Sequence, residues 1–167
     1  GDEEMTETSP AGDNFLAGVC KEWEIESRRA EDAGIRTVLL RTGIVLSKEG
    51  GALSTMLLPF KMGVGGVVGS GKQWMSWISL DDEVAIINYC IENENIRGAV
   101  NAVAPNPVTN AEFTKTLGEV LYRPTFLPLP EFAVSMIFGE MGDALLLAST
   151  KVLPKRLEDA GFEFKYP

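Results

Sequence analysis

Histidine is absent from these 167 residues, and cysteine occurs only twice, at Cys20 and Cys90. Without an imidazole the chain holds no Ser-His-Asp triad, no His-Glu-x-x-His zinc site and no imidazole acid or base. Two thiols are too few for a four-thiolate metal site or a disulfide-dense scaffold, so no metal site is expected. Basic residues are also scarce. Fifteen Lys and Arg stand against 24 Asp and Glu, a formal charge of −9, which leaves no general basic face to neutralise nucleic-acid phosphates. Long apolar runs are missing too: stretches such as Ala144–Ala148 fall far short of the ~20 residues a membrane span requires. Disorder is excluded by what is present, because 45% hydrophobic residues and a mean hydropathy of +0.04 can supply a core. The length suits one domain of ~100–200 residues.

The charge is unevenly placed. Residues 1–33 carry ten acids and three bases, whereas residues 34–80 carry one acid, Glu49, against Arg36, Arg41, Lys48, Lys61 and Lys72. That positive stretch also holds eight of the 17 glycines, from Gly43 to Gly71. Glycine lets backbone approach a ligand closely and positive charge attracts anions; a surface loop with solvated lysines has the same composition.

Periodicity gives a coarse order of elements. Residues 1–12 read as a loop, after which Asp13 or Asn14 can cap a helix bearing Phe15, Leu16, Val19, Trp23 and Ile25, with Gly34 placed to end it. Arg36–Leu40 is short, β-branched and apolar, as a buried parallel strand should be. A glycine-containing loop, Thr42–Gly51, precedes a helical run around Ala52–Leu58 that Pro59 should stop. Gly63–Gly71 cannot be regular structure. Gln73–Leu80 reads as strand, Asp81 as the cap of a helix through Ile91, and Ala99–Val103 as strand. Thr109-Asn-Ala-Glu112 fits a capping box and opens a helix through Val120. Further helices are expected from Glu131 and around Lys155–Ala160, the latter followed by Gly161. Strands alternating with helices predict α/β architecture with a largely parallel sheet.

Two glycine motifs are coincidental. Gly66-Val-Val-Gly-Ser-Gly71-Lys72 matches the first seven positions of a phosphate-binding loop, but Gln73 lacks the hydroxyl that Ser or Thr presents to magnesium. No strand leads into it, and the β-like Trp74-Met-Ser-Trp77 follows where a helix belongs. Gly65-x-x-x-Gly69-x-Gly71 has the glycines of a dinucleotide turn and fails on the same context.

A longer pattern is more specific. Leu39-Leu-Arg41-Thr-Gly-Ile-Val-Leu46, Gly50-Gly51-Ala52-Leu53, Leu58-Pro-Phe60, Gly69-Ser-Gly71-Lys-Gln-Trp-Met-Ser-Trp-Ile78, Asp81-Asp82 and Gly98-Ala-Val-Asn-Ala-Val-Ala-Pro105 occur in order. The tail continues with Arg123-Pro124, Phe138-Gly139-Glu140, Lys151-Val-Leu-Pro154 and Gly161-Phe-Glu-Phe-Lys-Tyr166. Together they resemble the epimerase-like, atypical extended short-chain dehydrogenase/reductase family, in the NAD-dependent epimerase/dehydratase superfamily. The match begins at Gly1-Asp2 and corresponds to the C-terminal half of family members. The resemblance implies the C-terminal part of a Rossmann-like doubly wound parallel sheet in residues 1–104, with an inserted Gly-rich substrate-side loop, and a C-terminal α/β segment in residues 105–167. It also implies NADP or NAD as cofactor, an unknown small-molecule substrate, and a plastid, organellar or bacterial cytoplasmic setting.

The family's catalytic pair is not in this chain. Its Tyr-x-x-x-Lys supplies a phenolate that exchanges a proton with the substrate hydroxyl while hydride moves. The equivalent helix here, Asn14–Glu24, contains no tyrosine, and Tyr89, Tyr122 and Tyr166 are not followed by lysine four residues later. No catalytic residue is therefore assigned, and an epimerase or oxidoreductase activity stands beside a second reading: a non-enzymatic structural or regulatory subunit of a larger assembly. Cys20 reads as a small core residue, since Lys21 points about 100° away around a helix, and Cys90 reads the same way.

By resemblance, Arg41, Thr42 and Gly43 pass the nicotinamide end of the cofactor, although they also fit an ordinary strand-to-loop turn. Phe60, Gly65, Gly66, Gly69, Ser70, Gly71, Lys72, Gln73 and Trp74 correspond to the substrate-side loop, where Lys72 and glycine amides would meet an anion. Trp74 and Trp77 would either stack on a ring or pack in a seam; three apart on a strand, they face opposite sides, which predicts at least one in the core. Asp81 and Asp82 read as helix cap and dipole partner. Asn101 and Asn106 receive no chemical role.

Overall fold

The computed structural model describes residues 2–132, 136 and 147–167. Helix α1 spans Phe15–Asp32 and begins at Asn14, whose side chain accepts the Ala17 amide at 2.8 Å. Gly34 ends it at φ +80°, with its own amide on the Glu31 carbonyl and that of Ile35 on Ala30, the paired bonds of a Schellman turn. Strands β2 (Val38–Thr42) and β3 (Ile44–Leu46) follow, separated by Gly43. Helix α2, Gly51–Lys61, runs through Pro59, contrary to the stop expected there. A proline disturbs the turn before it, not the residues after it. The helix ends instead at Gly63 (φ +75°), where Gly63 and Val64 donate back to the Phe60 and Pro59 carbonyls.

The strand expected over Gln73–Leu80 is two short pieces, β4 (Trp74–Met75) and β5 (Trp77–Ser79). Ser79 caps α3, Leu80–Glu92, by accepting the Asp82 amide; Asp81, expected as the cap, lies in the first turn. After β6 (Gly98–Ala102) and β7 (Val108–Thr109), helix α4 (Asn110–Leu121) opens with both bonds of the Thr109–Glu112 capping box. Strand β8 (Lys151–Val152) and helix α5 (Lys155–Asp159) complete the chain. The helix expected from Glu131 lies mostly outside the described residues.

Three of the four strand pairs among the described residues are parallel: β2 with β6, β3 with β5, and β8 with β1 (Glu4–Met5), whereas β4 and β7 are antiparallel. This is the mixed, largely parallel α/β architecture that alternation predicts. At Gly43 the chain changes neighbours, because the Gly43 amide donates to Ala102 of β6 and the next amide, Ile44, donates to Ser76 beside β5. Ile78, Ile86, Cys90, Ile96, Val100, Ala102 and Leu157 form the core between the strands, α3 and α5. Phe162 and Phe164 close its edge, with Phe162 stacked edge-on against Tyr89. Arg36 binds the end of α3, donating to the carbonyls of Cys90, Ile91 and Ile96, the favoured place for a cation near a helix C-terminus.

Candidate functional site

Two concavities flank the strands. The larger, about 700 Å³, lies between α1, the N-terminal turn and β2, and Arg41, Thr42 and Gly43 all stand in its wall. Alternation along β2 sends Arg41 toward α1 and Thr42 toward α3. Arg41 grips Glu24 of α1 through Nε and Nη2 at 2.7 and 2.8 Å, and its Nη1 donates to the Glu7 carbonyl. The forked hydrogen bond from Arg41 holds the Glu24 carboxyl below its ordinary range and raises Arg41 in return. Thr42 Oγ1 donates to Glu83 of α3 at 2.9 Å. Gly43 is required by close approach: a Cβ there would meet the Ser76 carbonyl oxygen at 2.5 Å and Val103 Cγ1 at 2.8 Å.

Helix α1 contributes Ala17, Cys20, Lys21 and Glu24 to the same cleft. Lys21 is the only lysine of that helix, and the residue four before it on the same face is Ala17, so no phenol is paired with it. Cys20 is exposed, which corrects its assignment to the core, whereas burial of Cys90 pushes that thiol up. Phe15 and Trp23 are 82% and 70% exposed; these apolar residues of α1 are uncovered among the described residues. On its side away from β6, β2 likewise has no strand partner among them.

The smaller concavity, about 260 Å³, gathers Ser70, Lys72 and Gln73 of the glycine loop with Asp2, Glu131 and Ser149. The other loop residues build the support. Phe60 is buried against Gly65, and Gly66 bridges Phe126 so tightly that a Cβ would lie 1.7 Å from the Leu127 carbonyl oxygen. Several amides of this loop are engaged within the protein: Val68 donates to Asn110 Oδ1, Gly69 to the Leu129 carbonyl, Gly71 to the Val68 carbonyl, and Trp74 to Ser149 Oγ. No helix follows the loop, so its phosphate-loop-like spacing has no phosphate-loop context.

Neither Trp74 nor Trp77 is buried; Met75 and Ile78 take the inward positions, which corrects the expectation that at least one of these two indoles lies in the core. Trp74 Nε1 donates to Asp2, with Lys151 Nζ 4.7 Å above its ring, and Trp77 Nε1 donates to the Asn106 carbonyl. Asp82 is 1% exposed, and its carboxylate accepts the Ser79 hydroxyl and the Lys165 and Tyr166 amides. Its work is to tie the C-terminal tail to α3. Glu7, in a segment read only as loop, accepts the amides of Asn101 and Arg156. Asp2, Glu7, Glu131 and Ser149 carry no local sequence signal, since distant contacts alone bring them to these sites.

The C-terminal residues 129–167 match a family model described as a domain of unknown function, DUF1731. Over 165 residues, 99% of this chain, the sequence is 47% identical to epimerase family protein Mb2239 of Mycobacterium bovis, covering 55% of that protein. It is also 47% identical over 160 residues to the chloroplastic SDR39U1 homolog of Arabidopsis thaliana, covering 96% of this chain and 46% of that protein. A crystal structure of human epimerase family protein SDR39U1 with NADPH superposes with a TM-score of 0.94 at 40% identity, covering 99% of this chain and 56% of that one. Over nearly its whole length the chain is similar to epimerase family proteins. It spans about half the length of these relatives, and its parallel-stranded α/β fold is theirs.

Proposed function

We propose that this chain forms the nicotinamide-side and substrate-side part of an NAD(P)-binding, epimerase-like protein whose substrate is unknown. The observation that carries this reading is the convergence of Arg41, Thr42 and Gly43 with the cleft face of α1 on one cavity of about 700 Å³. The human relative crystallised with NADPH supports it. The residues present fit the nicotinamide end of such a cofactor: the walls include Val38, Leu40, Val103 and Val152, an apolar slot suited to a flat ring. They fit a phosphate less well, because Arg41 is already engaged by Glu24. A bound nicotinamide would supply hydride chemistry; this chain's own residues would bind and orient the ring. The small cavity at Ser70, Lys72 and Gln73 is the proposed substrate side.

The test is titration of the complete gene product with NADPH and NADH, followed by tryptophan fluorescence and thermal shift. Trp23 borders the cleft and is largely exposed, so binding is expected to quench it and raise Tm. Failure of both nucleotides to move either signal overturns the reading. Ala17, in place of a phenol opposite Lys21, supports the second reading: a structural or regulatory subunit that keeps the fold without the chemistry. That reading predicts no nucleotide response and a larger assembly in light scattering of the native protein.

A further inference from the structure

Helix α3 buries a carboxyl that its packing does not require. Glu83 is 9% exposed; its Oε1 accepts from Thr42 Oγ1 at 2.9 Å, and its buried Oε2 has no hydrogen-bond partner among the described residues. The buried positions further along the helix, Ile86 and Cys90, are apolar. Asp82, the neighbouring buried acid, differs because three donors satisfy it. Burial raises the Glu83 carboxyl above its ordinary range, with the Thr42 hydroxyl as the opposing influence. An unsatisfied buried polar group costs roughly 1–3 kcal/mol, and local costs of this kind concentrate where function demands them.

What Glu83 holds is specific. Thr42 is the last residue of β2 and stands in the wall of the large cleft. Immediately after it the backbone exchanges one strand neighbour for another, the Gly43 amide bonding β6 and the Ile44 amide bonding Ser76. Gly43 has no side chain to anchor this junction. The Thr42 hydroxyl ties it to α3.

We infer that Glu83 is a positioning residue: by holding the Thr42 hydroxyl it sets the Thr42–Gly43 turn against which the nicotinamide end of the cofactor rests. The role of the turn rests on the cofactor reading above; the mechanical link from Glu83 to the turn does not.

The experiment separates the two. In the complete gene product, Glu83→Leu, Thr42→Val, their combination and Glu83→Gln are compared by amide hydrogen exchange, thermal melting and NADPH titration. Glu83→Leu and Thr42→Val are expected to speed exchange at Gly43 and Ile44 and weaken NADPH about fivefold, one ordinary hydrogen bond. The double variant should be no worse than either single, since both remove one contact. Glu83→Gln keeps an acceptor for Thr42 and should stay within about twofold of the parent. Glu83→Leu should hold or raise Tm, because it removes an unsatisfied buried acid, whereas a merely structural Glu83 would lose Tm.

Unchanged exchange at Gly43 and Ile44 in Glu83→Leu overturns the positioning role. Altered exchange with unaltered NADPH affinity overturns its connection to the cofactor. If the parent protein binds no nucleotide while the exchange responds, the cofactor reading falls and the positioned turn stands.

Discussion

Arg41 shows how a residue can be chosen correctly for its place and still do something unforeseen there. Its position near the end of β2 puts it on the cleft, but its guanidinium is spent on Glu24, seventeen residues earlier. That pair has a definite pH signature. Because the folded Glu24 carboxyl lies below its unfolded value of about 4.3, its stabilisation is complete above that value and is lost as pH falls through the depressed one. Melting curves of the parent and Glu24→Gln should therefore be separated most above about pH 5 and converge in acid; parallel curves would show that the pair contributes nothing. Both partners are partly exposed, so about 1 kcal/mol is the scale at neutral pH. Gly43 was legible as a close-approach glycine, but what approaches it is Ser76 and Val103. Gly43→Ala should cost about 1–3 kcal/mol in chemical denaturation although its backbone is not left-handed, since the clash is with backbone and a packed side chain.

Among elements, legibility followed the locality of the signal. The α4 capping box, the Asn14 cap and the Gly34 and Gly161 terminations are written within a few residues, and each stands where its pattern places it. Pro59 misleads because its steric effect acts backward along the chain, so the helix continues to the glycine that can close it. Strands β1, β3 and β8, of two or three residues, lack the length over which alternation can be read. At the start of α3 the adjacent aspartates diverge: Asp81 is an exposed partner of Lys165, whereas Asp82 is a buried clamp. Asp82→Ala should lose about 3 kcal/mol, the scale of hydrogen bonds to a buried charge, and free the Lys165 and Tyr166 amides to exchange. Retained protection at those amides would refute the clamp.

At the scale of the molecule, the chain's beginning is sewn to its end. Glu4 and Met5 pair with Lys151 and Val152, and the Glu7 carboxylate joins β6 to the start of α5. Glu7→Ala should consequently destabilise the whole fold by about 2–3 kcal/mol, since it strands two backbone donors; a purely local loosening of the N-terminal turn, seen by hydrogen exchange without a change in denaturation midpoint, would count against this. The large cleft draws on both of these regions, since its walls include the N-terminal turn and β8 as well as α1 and β2. By itself the sequence determined the α/β class, the Thr109 capping box, the family pattern and the absence of histidine and of Tyr-x-x-x-Lys, all of which are properties of residue type and short spacing. Only the tertiary structure decided that the Gly69 and Gly71 amides are engaged within the protein, that Cys20, Trp74 and Trp77 stay out of the core, and that Glu83 is buried behind Thr42. Each of those depends on which distant segment competes for a hydrogen bond or a contact, and no local pattern encodes the winner of that competition.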